Sequence, residues 1–217
     1  MKKETRKVFY IAASMLAAFV LWTLAISYFD VQPIGPQGST VGFATINKFV
    51  HNLTGVHMSL YIVTDWLGLV PLCFGLGFAL LGLVQWIKRG HILTVDYSIL
   101  VLGGFYILVM LAYILFEMFV VNYRPILING YLEASYPSST TILVICMMTT
   151  AIMQFHHRIK NQIVKRCVTY AITVFIVFMV VCRLISGVHW LTDIIGGFLL
   201  SSGLVSLYCA VSNLKIK

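Results

Sequence analysis

YSILVLGGFYILVMLAYILFEMFV, residues 97–120, is the stretch that decides the fold of this chain. Glu117 is its only charged residue. About 20 consecutive apolar residues are enough for a helix to cross the hydrocarbon core of a bilayer. A segment in lipid must also satisfy its own backbone hydrogen bonds, which an α-helix does. The stretch therefore predicts a membrane-spanning helix.

Five more apolar segments predict that the chain crosses the membrane six times. Hydrophobic residues make up 60% of the 217 positions and charged residues only 10%, whereas a soluble domain has roughly 25% charged residues. We therefore expect an all-α fold, a polytopic membrane protein with a six-transmembrane-helix bundle, in one domain over residues 1–217. The other spans are Val8–Tyr28, Met58–Trp86, Thr140–Phe155, Val168–Ile185 and Trp190–Ser212.

The basic residues predict the orientation of this bundle. Twelve of the fifteen Lys and Arg residues fall before the first span, in the second and fourth links, and after the last span. Only Lys48, Arg124 and Arg183 fall on the other side. Cytoplasmic loops carry the excess of Lys and Arg, so both termini are predicted to be cytoplasmic. The net charge of +8 is thus explained by topology, and nucleic acid is not a predicted partner.

The extracytoplasmic links hold the residues that can carry chemistry. His189 and Asp193 are four apart at the start of the last span, so they share one helix face. A carboxylate there can hold one imidazole nitrogen and leave the other free as nucleophile or base. Arg124 and Arg183 offer planar forks suited to phosphate oxygens.

A second group of polar residues precedes the fourth span. Ser138, Ser139 and Thr140 follow a proline and offer hydroxyl groups and helix-start N–H groups, a natural anion site. Together with the arginines and the His–Asp pair, they predict a site at the outer membrane surface that handles phosphate.

These motifs resemble the signatures of the type 2 phosphatidic acid phosphatase superfamily, the membrane lipid phosphate phosphatases. Arg183-x5-His189-x3-Asp193 matches the third signature. Arg124 and the proline after it match the end of the first signature, Lys-x6-Arg-Pro. Pro137 and Ser138 match the start of the second signature, Pro-Ser-Gly-His.

The resemblance implies a metal-independent reaction through a phosphohistidine, with no cofactor. His189 would attack phosphorus, and Asp193 would orient and charge-stabilise it. Arg124, Arg183 and Ser138 would cradle the phosphoryl oxygens, with Ser139 and Thr140 beside them. Phosphoryl transfer depends mainly on positioning and charge stabilisation, which these residue types provide.

Two positions depart from the family pattern. The first-signature lysine is Glu117, and the second-signature histidine, which protonates the leaving oxygen in the family, is Thr140. One interpretation is that the protein uses substrates with better leaving groups, such as lipid diphosphates. A second interpretation is that Lys48 or His51 of the first outer link has taken over the role of the missing family residues. A third is that the protein binds phosphate-headed lipids without efficient turnover. Glu117 is either a partner of Arg124 or a functional residue, and Asp65 within the second span is a functional or a structural carboxylate.

The function expected from these observations is that of a lipid phosphate or diphosphate phosphatase, acting at the extracytoplasmic face of the cell membrane. The substrate is expected to be an isoprenoid diphosphate carrier or a phosphatidate-type lipid. The alternatives are an inactive homologue that binds or transports phosphate-headed lipids, and an enzyme that transfers the phosphoryl group to an acceptor other than water. The sequence does not predict an oligomeric state.

Overall fold

The computed structural model describes residues 3–214 and contains eight α-helices in that range. Six of its spans are long and apolar enough to cross a membrane, which confirms the count from sequence. No β-strand forms among the described residues; isolated bridges occur only in the links. The helices are α1 (Lys3–Tyr28), α2 (Ala44–Thr54), α3 (Met58–Leu67), α4 (Leu69–Arg89), α5 (Tyr97–Met118), α6 (Ser139–Arg158), α7 (Gln162–Ile185) and α8 (Leu191–Ser212).

The second span is broken into α3 and α4 at Gly68. Pro71 lacks the N–H group that would bond to the carbonyl of Leu67, and its ring crowds that carbonyl. A break therefore falls one turn before the proline, as is usual for a sharp kink in a helix. The break separates α3, which carries residues of the site described below, from α4, which forms the rest of the span.

Two helices form the centre of the bundle. In α6 and α8, 50% of the residues in the most apolar stretch are buried, against 17–22% in the other four spans. Their cores include Ile142, Cys146 and Leu204. Because the outer helices α1, α4, α5 and α7 expose large apolar side chains, these faces are the ones suited to lipid. The chain is a multi-pass membrane protein.

The first outer link contains the short helix α2. Its buried face contributes Asn47, whose amide donates to the hydroxyl of Thr192 at 3.0 Å and accepts from the Thr192 N–H at 3.2 Å. Phe49 and Leu53 are exposed on the opposite face. These contacts attach α2 to the first turn of α8, close to the site.

The links at one end of the bundle are tied to one another by backbone contacts. The N–H of His57 donates to the carbonyl of Ser186 at 3.0 Å. Gly187, which follows, has φ +69°, and a Cβ atom there would lie 2.0 Å from the carbonyl oxygen of Gly55. Only glycine suits both the left-handed backbone and this close approach. The turn before α8 is therefore fixed against the start of α3.

Candidate active site

His189 lies in the turn between α7 and α8 and is 3% exposed. Its Nδ1 atom is 3.2 Å from the backbone carbonyl oxygen of Ser135. Because a carbonyl oxygen only accepts hydrogen bonds, Nδ1 must donate, and the lone pair of the neutral ring is on Nε2. In the described part of the chain, Nε2 has no hydrogen-bond partner. The geometry leaves a nucleophilic nitrogen free.

Asp193 lies four residues after His189, in the first turn of α8, and is fully buried. Its Oδ2 atom is 3.6 Å from His189 Nδ1 and accepts a hydrogen bond from the backbone N–H of Trp190 at 2.8 Å. That bond caps the first turn of α8 and fixes the carboxyl group. The carboxyl group is therefore close enough to stabilise positive charge on the ring electrostatically, while the shorter contact of Nδ1 is to the Ser135 carbonyl.

The surroundings of His189 keep its ring neutral. Burial lowers the pKa of His189 well below its ordinary value, and the positive charges of Arg124 and Arg183 lower it further. The hydrogen bond to the Ser135 carbonyl acts in the opposite direction. A neutral ring is the form required for attack on phosphorus.

Arg183 in the last turn of α7 is held by α3. Its Nη1 atom donates to Thr64 Oγ1 at 3.1 Å, and its Nη2 atom lies 3.7 Å from Asp65 Oδ1. Its guanidinium carbon lies 4.8 Å from the ring centroid of Tyr61. The side chain is 2% exposed, and within residues 3–214 its Nε atom has no hydrogen-bond partner. Asp65 is thus an ion-pair partner of Arg183, the arginine that is predicted to bind phosphate.

Arg124 is held by the second outer link and by the same tyrosine. Its Nε atom lies 3.0 Å from Glu133 Oε2, and its guanidinium carbon lies 5.9 Å from the ring centroid of Tyr61. It is 9% exposed, and Nη1 has no hydrogen-bond partner among the described residues. Glu117, which the sequence offered as a partner of Arg124, is not its ion-pair partner within this range; Glu133 is.

Tyr61 and Glu133 are two of the residues of the site that the sequence analysis missed. For Glu133 a signal existed: Asn129-Gly130 is a dipeptide typical of two-residue hairpin turns, and both residues have positive φ. The turn folds the link back on itself, and the N–H of Arg124 donates to the carbonyl of Glu133 at 3.0 Å. Tyr61 gives no comparable signal, because an aromatic residue at a membrane helix end is common.

A cavity of about 570 Å³ opens beside the two arginines. Its charged and polar walls come from α3, α5, α6, α7 and the second outer link: Asp65, Tyr113, Glu117, Arg124, Glu133, Ser139, Thr140 and Arg183. His189 lines a much smaller pocket of about 10 Å³. Tyr113, Glu117 and Ser139 line both. They therefore lie between the free histidine nitrogen and the arginine cavity.

The remaining predicted residues are placed as follows. Ser138 is fully buried, and its hydroxyl accepts from the Thr141 N–H at 3.5 Å and from Thr141 Oγ1 at 3.0 Å, so it caps α6. Ser139 and Thr140 line the cavity. Lys48 is exposed on α2, and the His51 ring lies 5.5 Å from that of Trp190. Within residues 3–214, Lys48 and His51 line neither pocket.

No protein-family model and no curated protein matches this sequence. Among solved structures, the chain is similar to the crystal structure of the first transmembrane PAP2 type phosphatidylglycerolphosphate phosphatase from Bacillus subtilis. The TM-score is 0.66 at 19% sequence identity, over 96% of this chain and 98% of that one. The chain therefore shares the fold of a transmembrane PAP2-type phosphatase over almost its whole length.

Proposed function

We propose that this chain is a membrane lipid phosphate phosphatase that works through a phosphohistidine. The observation that carries the proposal is the state of His189: Nδ1 is engaged by a carbonyl and Nε2 is free. Two buried arginines with unpartnered N–H groups lie near it. A neutral nucleophile beside preorganised cations is the arrangement that phosphoryl transfer requires. The shared fold with a phosphatase agrees with it.

In the proposed reaction, His189 Nε2 forms a bond to phosphorus while the bond from phosphorus to the lipid oxygen breaks. Arg124 and Arg183 stabilise the charge on the equatorial oxygens, and Asp193 stabilises the positive ring. The leaving oxygen takes a proton from solvent if it is an alkoxide. Water then attacks phosphorus, the N–P bond breaks, and inorganic phosphate is released with the ring neutral again.

The leaving group determines the substrate in this proposal. Thr140 stands where the family has the histidine that protonates the leaving oxygen, and a general acid contributes roughly 10²–10⁴-fold in rate. A lipid diphosphate releases a lipid monophosphate, which needs no proton to leave. A diphosphate carrier lipid such as an isoprenoid diphosphate is therefore favoured over a phosphatidate-type monoester.

An apolar groove along α4 and α5 supports access from within the membrane. The cavity shares Leu72 and Leu143 with an apolar pocket of about 330 Å³. That pocket shares Gly75 and Tyr106 with a third of about 300 Å³. A lipid phosphate at the arginines could therefore lay its hydrocarbon chain along this groove and enter laterally.

The proposal includes an orientation. The site lies at the end of the bundle that carries the three outer links, and the basic links lie at the opposite end. By the positive-inside rule, both termini are cytoplasmic, and the site lies on the extracytoplasmic side of the cell membrane.

Phosphate release by the purified protein in detergent tests the proposal. The assay contains EDTA and a panel of lipid monophosphates and diphosphates, with His189→Ala as the comparison variant. We expect release that survives EDTA and is lost in the variant, and phosphate that becomes trapped on the protein in acid-sensitive, base-stable form, as a phosphohistidine is. Size-exclusion profiles establish that the variant is folded.

The second candidate function is binding or transport without turnover. It is favoured by the ion pair between Glu133 and Arg124. In that pair, an arginine that is proposed to bind phosphate is already occupied by a carboxylate before any substrate arrives. If no lipid releases phosphate, while native protein and His189→Ala bind phosphate-headed lipids equally well, the enzyme proposal is wrong and this candidate replaces it.

A further inference from the structure

The first turn of α8 is capped by a side chain from another helix. The first N–H groups of a helix have no carbonyl partner within it, and the residue that precedes the helix usually supplies an acceptor. That residue is Trp190, whose indole N–H can only donate. The acceptor comes instead from α2, where Asn47 Oδ1 accepts from the backbone N–H of Thr192 at 3.2 Å. A residue 145 positions away along the chain thus performs the role of a helix cap.

The Asn47 amide is fixed by two further hydrogen bonds. Its nitrogen donates to the Gly42 carbonyl at 2.9 Å and to the Thr192 hydroxyl at 3.0 Å, and the side chain is fully buried. Because a carbonyl oxygen only accepts, the bond to Gly42 orients the amide with its oxygen toward the Thr192 N–H. Gly42 is itself held closely, since a Cβ atom there would collide with the carbonyl oxygen of Ile26 in α1. The amide therefore has one orientation, which is fixed relative to α1.

Thr192 is the residue through which α1 and α2 contact the reaction centre. In addition to its two hydrogen bonds with Asn47, its carbonyl accepts from Trp22 Nε1 of α1 at 3.2 Å, so its N–H, hydroxyl and carbonyl groups all contact these two helices. The next residue is Asp193, whose Oδ2 atom lies 3.6 Å from His189 Nδ1. Because Thr192 and Asp193 are consecutive, a shift of Thr192 moves the carboxyl group relative to the imidazole ring.

We propose that Asn47 is a positioning residue for the reaction, because it fixes the first turn of α8 and with it the geometry of His189 and Asp193. It acts through Thr192 and, within residues 3–214, lines neither the arginine cavity nor the small pocket at His189. This inference adds a residue to the proposed phosphatase and rests on that function. A misplacement of about 1 Å can lower the rate of such a reaction roughly 10²-fold, so a cap outside the site can control turnover.

Asn47→Leu tests the proposal with a side chain of similar size and no polar atoms. The Thr192 N–H and hydroxyl lose their partner on α2, and because an unpaired buried N–H is costly, the first turn of α8 shifts toward water or another acceptor. The arginines proposed to bind phosphate are held by α3 and by the second outer link, not by Asn47. We therefore expect kcat to fall about 10- to 100-fold, while KM and the inhibition constant of inorganic phosphate change less than about twofold.

Asn52→Leu is the matched control. It is the same substitution on the same helix, at an exposed position, and it should keep the native kcat. A second comparison is made at Thr192: Thr192→Ser keeps the hydroxyl and should retain most activity, whereas Thr192→Val loses it and should lower kcat about three- to tenfold. In Asn47→Leu/Thr192→Val the two losses should not multiply, because both changes remove the same hydrogen bond.

The outcomes separate this inference from the function on which it rests. Phosphate release is measured with the same lipid panel in EDTA, and Tm and size-exclusion profiles establish folding. Native kcat in Asn47→Leu, an equal loss in Asn52→Leu, or a phosphate inhibition constant that rises in proportion to the fall in kcat overturns the positioning role and leaves the phosphatase intact. If Asn47→Leu does not fold, equal kcat in Thr192→Val and Thr192→Ser overturns it. If native protein releases phosphate from no lipid, the phosphatase and this inference are both wrong.

Discussion

The ring of Tyr61 lies 4.8 Å from the guanidinium carbon of Arg183. The same ring is 5.9 Å from the guanidinium carbon of Arg124, so one aromatic side chain on α3 contacts both predicted phosphate ligands. Two like charges held near each other repel, and an aromatic face partly compensates that repulsion. Tyr61 is therefore a positioning residue for the arginine pair.

Replacing this ring should weaken phosphate handling without removing the nucleophile. For Tyr61→Leu we expect kcat/KM for a lipid phosphate to fall about 5- to 30-fold, the range of one or two cation–π contacts. Tyr61→Phe keeps the ring and should retain most activity. Steady-state kinetics on both variants measure this. Equal losses in the two would assign the effect to the hydroxyl group and contradict the prediction.

The ion pair between Arg124 and Glu133 should compete with phosphate. In Glu133→Gln, Arg124 loses its partner at 3.0 Å and becomes fully available. Because the glutamate is 41% exposed, the pair contributes only about 0.2–1 kcal/mol. We therefore expect inorganic phosphate to inhibit the variant at concentrations about two- to fivefold lower than for native protein. Weaker inhibition would show that Glu133 supports Arg124 rather than opposing phosphate.

The low pKa of His189 predicts the acid limb of the pH–rate profile. Burial and the charges of Arg124 and Arg183 disfavour the protonated ring, so the nucleophile stays neutral below pH 6.5, the ordinary value. We expect the acid limb of kcat/KM to lie below pH 6.5, as measured by phosphate release between pH 4.5 and 8. A limb at or above pH 6.5 would contradict the assignment of His189 as the neutral nucleophile.

The same pKa has a consequence for stability. Between pH 6.5 and the lower native pKa, the unfolded chain binds a proton at His189 that the native chain excludes, so the free energy of unfolding falls as the pH falls. Burial lowers the pKa of His51 too, with the same sign. In His189→Asn, the decrease in Tm between pH 7 and 5 should therefore shrink but not vanish. An unchanged pH dependence of Tm would argue against a neutral buried His189.

The spans and the reactive residues were predictable because each depends on local pattern. Apolar length specifies a membrane helix whatever surrounds it. The four-residue spacing of His189 and Asp193 predicts that they are neighbours, as they are, although His189 lies in the turn before α8 and not on a face of that helix. The break of the second span at Gly68 was not predicted, although Pro71, one turn beyond it, is a local signal for such a break. These features need no knowledge of which helices are neighbours.

The partners of the arginines depend on packing and were not predictable. Thr64, Asp65 and Tyr61 reach Arg183 because α3 packs against α7, more than a hundred residues away along the chain. Ser138 shows the converse: its hydroxyl could serve a phosphate or a helix start equally well by sequence. In the structure it accepts from Thr141, so its proposed contact with phosphate remains a prediction.

The groove along α4 and α5 predicts a chain-length effect. Gly103 lines the groove, and a Cβ atom there would meet nothing within 4 Å. In Gly103→Phe the ring should fill the space and lower kcat/KM for long-chain lipid phosphates about tenfold or more, an expectation from lost apolar contact with the chain. Dihexanoyl substrates are too short to reach this position and should be unaffected.

Gly104 supplies the matched control for this experiment. It lies on the same helix, a Cβ atom there would also meet nothing within 4 Å, and within residues 3–214 it lines no part of the groove. Gly104→Phe should behave as native protein with both chain lengths. A similar loss in Gly103→Phe and Gly104→Phe, or a loss with dihexanoyl substrates, would assign the effect to helix stability and remove the groove from the proposal.

Thr140 offers a gain-of-function test of the leaving-group proposal. It lies in the first turn of α6 on the cavity wall and is 9% exposed, at the position where the resembled family has a histidine. Thr140→His should place an imidazole next to the leaving oxygen. A positioned general acid accelerates proton transfer by roughly 10²–10⁴-fold, so even imperfect placement should raise kcat for an alkyl phosphate monoester at least about tenfold.

The effect should depend on the leaving group. A lipid diphosphate or an aryl phosphate leaves without a proton, so Thr140→His should change its kcat little, and the pH profile of the alkyl monoester should gain a basic limb as the new histidine loses its proton. Thr140→Asn, similar in size and unable to donate a proton to the leaving oxygen as an acid, is the matched control. Acceleration of every substrate alike, or in both variants, would mean that Thr140 limits access to the cavity and not proton supply to the reaction.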